Sequence, residues 1–194
     1  LFRSKLTISR MPMGHSVAVT PLQITMGMSV IANGGRLMAP QIVKSIEDQD
    51  GGIERHQPKV VREVIPEKTA HFISNALVGV TQPGGTATFA RVNGYNVAGK
   101  TGTAQKVSDK GGYAPGKYVV SFVGYMPAED PRFVCLVMVD DAQISSGLNY
   151  GGLVAAPVFS RIAERTARQL DLVPTQPAIA LQPDPISASF NDEE

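Results

Sequence analysis

A chain of 194 residues, 43% of them hydrophobic and 18% charged, can bury one substantial core and falls in the size range of one domain or part of a larger one. The formal charge of +1 and a pI near 8.1, with Lys and Arg scattered along the chain, exclude the basic stripe of a nucleic-acid binder and the acidic run of a solvating tail. A single cysteine excludes an internal disulfide, and Cys135 within the apolar run RFVCLVMVD reads as a small buried hydrophobe.

From the N-terminus, TPLQITMGMSVIANGG carries a helix with both ends marked. Thr20 caps, Pro21 suits the first helical position, and Gln23 completes a capping box. Ile24, Gly27, Met28 and Ile31 recur at helical spacing, and Asn33-Gly34-Gly35 supplies a left-handed stop. RLMAPQIVKSIED and KVVREVI read as short extended segments around the turn-rich DQDGGIERHQP. PEKTAHFISNALVGV returns to helical spacing through Ala70, Ile73, Leu77 and Val80, and TQPGGTATFARVNG is a loop in which Gly84-Gly85-Thr86 reads as a turn.

Three strands follow, Tyr95 to Val107, Tyr118 to Met126 and Arg132 to Asp140, with connections short enough to require an antiparallel meander. A last helix runs from Leu153 to about Leu170, with Phe159, Ile162, Ala163, Thr166 and Leu170 on one face and Arg161, Arg165 and Arg168 mostly on another. Residues 173–194 are rich in proline, lack a packing period and read as a disordered tail, so the packed unit is expected over 1–172. No stretch reads as a signal peptide or a membrane span. The start at Leu1 suggests a piece cut from a longer protein, so the lack of a targeting segment here does not exclude one upstream.

The chemistry concentrates at Gly94 to Thr101, which matches the phosphate-loop pattern G-x-x-x-x-G-K-[ST]. A phosphate loop needs its Lys-Thr pair to open a helix, because the helix N-terminus faces the anion. Here Thr101 precedes Gly102, and Gly111-Gly112 and Pro115 follow soon after with no apolar helical face between, so that helix is excluded. Asp140 and Asp141 then become ordinary carboxylates at a strand end.

As an extended segment the same residues make better sense. Gly99, Gly102 and Ala104 keep the backbone around Lys100 clear for another chain's approach, and the hydroxyls of Thr101 and Thr103 add donors suited to a carboxylate. Alternation points Lys100 and Thr101 to opposite faces, so both serve one ligand only if it lies against the strand's edge. His15, His56 and His71 share no ligand spacing, and no metal site is expected. The methionines at 11, 13, 26, 28 and 38 read as core filling.

GKTGTAQ resembles the Lys-Thr-Gly-Thr strand of the serine acyltransferases that include penicillin-binding proteins and serine β-lactamases. The ordered blocks VAVTPLQITMGMSVIANGGRLMAPQIV, GGTATFARVNGYNVAGKTGTAQ, YVVSFVGYMPAEDPR and YGGLVAAPVF are similar to class B penicillin-binding proteins over roughly residues 10–170. The resemblance implies an α+β fold, an antiparallel sheet packed with helices, of which this chain holds the C-terminal part. It implies peptidoglycan cross-linking without a cofactor: a serine attacks the D-Ala-D-Ala end of a stem peptide, D-alanine leaves, and a neighbouring strand's amine resolves the acyl-enzyme.

On that resemblance Lys100 and Thr103 are the catalytic residues of this chain. Lys100 orients polar groups and holds positive charge near the substrate carboxylate, while the Thr103 amide is the second oxyanion donor. Loss of one such donor costs on the order of 3 kcal/mol of barrier. Thr101, Gly102 and Thr103 bind substrate, and Tyr150 and Gly151 lie at the cleft rim. Stem peptides, β-lactams and other wall-synthesis or division proteins are the implied partners, with a division role favoured over elongation. The implied location is the outer face of the cytoplasmic membrane.

The departure is the nucleophile. No serine has lysine three positions later, and the S-x-N match at Ser189-Phe190-Asn191 lies in the tail, out of the family's order. The chain alone is therefore expected neither to cross-link nor to bind penicillin covalently. The alternatives are a β-lactam-sensing or hydrolysing domain and a non-catalytic docking domain on the same fold.

Overall fold

A computed structural model describes residues 17–108, 111–142 and 150–178. Met11, Met13, His15, the Ser189 to Asn191 match and the tail from 179 onward lie outside the described residues. Helix α1 spans Pro21–Ala32 and is capped as its sequence dictates: the Thr20 amide donates to Gln23 Oε1 (2.8 Å) and the Gln23 amide to Thr20 Oγ1 (3.2 Å). Its buried residues are Met28 and Val30, whereas Gly27, expected on the packed face, is exposed with nothing beside it.

After α1 the chain forms two small antiparallel pairs, β1 (Arg36–Met38) with β4 (Val60–Glu63) and β2 (Ser45–Glu47) with β3 (Ile53–Arg55). Strand β3 corrects the expectation of a turn over DQDGGIERHQP. Asp48 Oδ1 accepts the amides of Asp50 (3.0 Å) and Gly52 (2.7 Å), which confines the turn to about five residues and returns Ile53 to pair with Glu47.

Helix α2 (Glu67–Gly79) buries Ala70 and Ser74, and a 3-10 turn at Thr88–Ala90 precedes the main sheet. That sheet is the expected meander: β5 (Ala98–Val107), β6 (Tyr113–Met126) and β7 (Phe133–Asp140), antiparallel in the order β5-β6-β7. Two ends differ from expectation. Strand β5 begins at Ala98 rather than Tyr95, because Gly94 at φ +84° closes a turn bridging Val92 and Tyr95. Strand β6 begins at Tyr113, paired with Val107.

The sheet is covered on both faces. Helix α3 (Gly151–Gln169) packs Ala155, Ala156, Phe159, Ala163 and Ala167 with Phe122, Met126 and Val137, and the rings of Phe122 and Phe159 meet edge to face at 4.8 Å. On the other face Ala98, Val123 and Tyr125 meet Met28 and other residues of α1 and α2, and the buried Tyr125 hydroxyl joins Ser74 Oγ at 2.7 Å.

The packed face of α3 is rotated from the one its large side chains suggest. Ile162 and Leu170 are 39% and 47% exposed, and the buried stripe pairs four alanines with Gly151, Gly152, Val154, Pro157 and Phe159. The cause is close approach: a Cβ on Gly151 would lie 2.2 Å from Ser121 O, and one on Gly152 would lie 2.0 Å from Thr86 O. A helix whose first turn is seated this near its neighbours takes glycine there and alanine along much of its packed face.

Residues 173–178, which composition groups with the tail, are held in place. The amides of Thr175 and Gln176 donate to Gly94 O (2.9 and 3.0 Å), and Gln176 Nε2 reaches Glu129 (3.1 Å).

Candidate active-site wall on the edge of the sheet

Strand β5 pairs only with β6, so one edge of it is unpaired among the described residues. Thr101 and Thr103 sit in its middle, which disposes of the phosphate-loop pattern: no helix opens after Lys100. The two aspartates at the end of β7 are ion-paired, Asp140 with Lys106 (2.8 Å) and Asp141 with Lys117 (3.5 Å). The Asp140 carboxylate, as acceptor and as charge, raises the Lys106 ammonium above its ordinary pKa.

Register fixes the faces. Thr101 opposes Phe122 and Thr103 opposes Val120, so both threonines lie on the α3 face, whereas Lys100 opposes Val123 on the face covered by α1 and α2. The Lys100 side chain is exposed and its Nζ donates to Thr101 O at 3.0 Å. The Ala98 carbonyl points at β6, where it lies 2.8 Å from the place of a Cβ on Gly124, so by alternation the Thr101 carbonyl looks out from the free edge. The period of an antiparallel ladder then turns the N–H and C=O of Thr103 to the same edge. Lysine, two hydroxyls and one amide thus converge on the unpaired side of β5 from both faces.

On the α3 face, Thr101, Thr103, Tyr150 and Gly151 line one cavity of about 400 Å³ together with Gly85, Thr86 and other residues. The Gly151 amide points at Thr103 Oγ1 at 3.5 Å, which brings the positive end of α3 beside the threonines. Four of the six expected site residues therefore share a wall. Lys100 reaches the same edge from the other face, and Gly102 does not line the cavity.

Gly102 plays a different part from the expected open approach. A Cβ there would lie 2.4 Å from Ser121 Oγ, so the space belongs to the neighbouring strand. Gly99 likewise makes room for the Phe122 ring, 2.3 Å from where its Cβ would be. The cleared backbone around Lys100 is thus explained in part by packing inside the sheet.

One residue of the wall was read only as part of a turn. Thr86 Oγ1 lies 3.2 Å from Thr101 Oγ1. The available sequence signal was the pair Gly84-Gly85 ahead of it: Gly84 has φ +85°, and a Cβ at Gly85 would lie 2.2 Å from Val80 O. Two glycines with such demands mark a loop folded tightly against its surroundings.

Cys135 is half-buried beside the α3 core, and burial pushes its thiol up. Among the described residues no three His, Cys, Asp or Glu side chains gather as a metal site, and no helix is long and apolar enough to cross a membrane.

A family profile described as the penicillin binding protein transpeptidase domain matches residues 2–164. Stage V sporulation protein D of Bacillus subtilis is 39% identical over 163 residues, covering 83% of this chain and 25% of that protein. Peptidoglycan D,D-transpeptidase FtsI of Escherichia coli is 33% identical over 161 residues, again 83% of this chain and 25% of the relative. The transpeptidase domain of Burkholderia pseudomallei penicillin-binding protein 3 superposes with a TM-score of 0.77 at 34% identity, over 91% of this chain and 50% of that one. Penicillin-binding protein 3 of Mycobacterium tuberculosis, solved with aztreonam, gives 0.80 at 31% identity, over 93% of this chain and 42% of that one. The chain spans about a quarter of the length of these curated relatives and half or less of the solved chains. In sequence and in fold, the chain belongs to the penicillin-binding protein transpeptidase domain family.

Proposed function

We propose that this chain forms one wall of a serine D,D-transpeptidase site that cross-links peptidoglycan, in a protein whose nucleophile and base come from sequence outside these 194 residues. The observation that carries the reading is the unpaired edge of β5, to which Lys100, Thr101 and Thr103 bring a cation, two hydroxyls and an amide. In this role the stem peptide lies along that edge with its terminal carboxylate at the two threonine hydroxyls, and Lys100 supplies the long-range attraction. The serine Oγ attacks the carbonyl carbon of the penultimate D-alanine, and the Thr103 amide takes up charge on the carbonyl oxygen. The C–N bond breaks, D-alanine leaves with a proton, and the amine of a second stem peptide releases the acyl group with loss of its own proton to a base. β-Lactams enter by the same acylation step.

The packed unit, expected over 1–172, is extended to 178 by the bonds of Thr175 and Gln176 to Gly94, and is taken to work on the outer face of the cytoplasmic membrane alongside other wall-synthesis proteins. A division role is supported by the likeness to FtsI and to penicillin-binding protein 3. A non-catalytic docking role predicts the opposite behaviour of Lys100.

Fluorescent penicillin decides between them. The full-length protein is expected to become labelled through an ester, and Lys100→Ala is expected to slow labelling about ten- to hundredfold, the value of a charge-assisted hydrogen bond. This chain alone is expected to stay unlabelled. Unchanged labelling in Lys100→Ala, or ester labelling of the isolated chain, contradicts the reading.

A further inference from the structure

The Thr101 side chain meets a hydroxyl from the loop before the sheet, where Thr86 Oγ1 stands 3.2 Å from Thr101 Oγ1. A hydroxyl carries one proton and two acceptor lone pairs, so this contact exists in two directions. If Thr101 donates to Thr86, its proton is turned into the loop and only lone pairs face the free edge of β5. If Thr86 donates to Thr101, the Thr101 proton is released toward the edge. An anion at the edge selects the second arrangement, because only that one presents it with a donor. A hydroxyl that accepts one hydrogen bond also donates the next more strongly.

Thr86 is held where this relay needs it. Its carbonyl is so close to α3 that a Cβ on Gly152 would lie 2.0 Å away, and a Cβ on the preceding Gly85 would lie 2.2 Å from Val80 O. The next amide, Ala87 N, is bonded to Val80 O at 3.0 Å. Helix start, loop and edge strand therefore pack together at this point, and Thr86 and Thr101 line the same cavity.

We propose that Thr86 is a positioning residue: its hydroxyl donates to Thr101 and so fixes the Thr101 hydroxyl as a donor to the carboxylate of the ligand on the β5 edge. The inference rests on the functional reading above and adds to it a residue outside the Lys-Thr-Gly-Thr run. Thr86 acts through Thr101 and touches no reacting atom.

The test is a double-mutant cycle in the full-length protein, read as the second-order rate constant for acylation by benzylpenicillin, with a thermal melt of every variant. Thr86→Val is expected to lower that constant about five- to tenfold, the worth of one hydrogen bond, and Thr86→Ser to restore it to within about twofold of the parent. In a Thr101→Val background, Thr86→Val should cost nothing further, because the residue it positions is gone. If Thr86→Val melts early, Thr86→Ala takes its place in the cycle. An unchanged rate in Thr86→Val, or a loss equally large with and without Thr101, overturns the inference while leaving the transpeptidase reading intact. A parent protein that penicillin fails to acylate overturns both.

Discussion

At position 101 one residue serves two neighbours: its carbonyl takes the Lys100 ammonium and its hydroxyl meets Thr86. Such sharing is how a short motif gathers unlike groups from both faces of a strand. Elsewhere a single polar pair does purely structural work. The Tyr125 hydroxyl is fully buried and bonded to Ser74, and burial pushes the phenol up while that bond pulls the other way. A phenol harder to ionise in the folded state keeps its proton where the unfolded chain has lost it. Stability therefore falls as pH rises past the ordinary value of 10.0, and keeps falling until the folded phenol itself ionises. Tyr125→Phe should cost about 1 kcal/mol near neutral pH through the unpaired Ser74 hydroxyl, and should flatten the alkaline decline. Urea midpoints at pH 7 and above 10 measure both. An equally steep decline in the variant would contradict the buried-phenol account. At this scale Lys100, Thr101 and Thr103 were legible because their types and order carry chemistry. Thr86 was not, because a hydroxyl pair fifteen residues apart leaves no local pattern.

Among the elements, the start of α1 was readable to the residue: Thr20 and Gln23 bond each other's amides and Pro21 has no N–H to satisfy, all through local contacts. Thr20→Ala should cost about 1 kcal/mol in a urea unfolding curve, and no loss would mean that the cap is solvent-compensated. The meander was readable for a related reason, since short connections leave antiparallel pairing as the only option. The orientation of α3 was not. Periodicity weighs Ile162 and Leu170 above alanine, but the helix is drawn close at Gly151 and Gly152, and its buried stripe carries four alanines beside Phe159. Gly151→Ala tests that close seat: the new methyl would meet Ser121 O and Gly102 O at 2.2 and 2.7 Å. It should destabilise the protein by about 1–3 kcal/mol and shift the helix start away from Thr103. A variant as stable as the parent would show that the contact is slack.

For the whole molecule, the sheet is a partition with α3 behind it and α1 with α2 in front, and its free edge is where the Lys-Thr-Gly-Thr run sits. Sequence pattern reached the helices, the strand meander and the edge requirement, since opposite-facing Lys100 and Thr101 share a ligand only at an edge, while the α+β class came with the family resemblance. It did not reach the docking of residues 173–178 at Gly94, because proline-rich composition says nothing of where such a segment packs. The central claim is that the unpaired side of β5 receives a ligand carboxylate at Thr101 and Thr103. The most direct measurement is a crystal structure of the full-length protein acylated by benzylpenicillin. The account predicts the drug's carboxylate within hydrogen-bonding distance of both threonine hydroxyls and its carbonyl oxygen on the Thr103 amide. A drug covalently bound with its carboxylate turned away from β5 would contradict it.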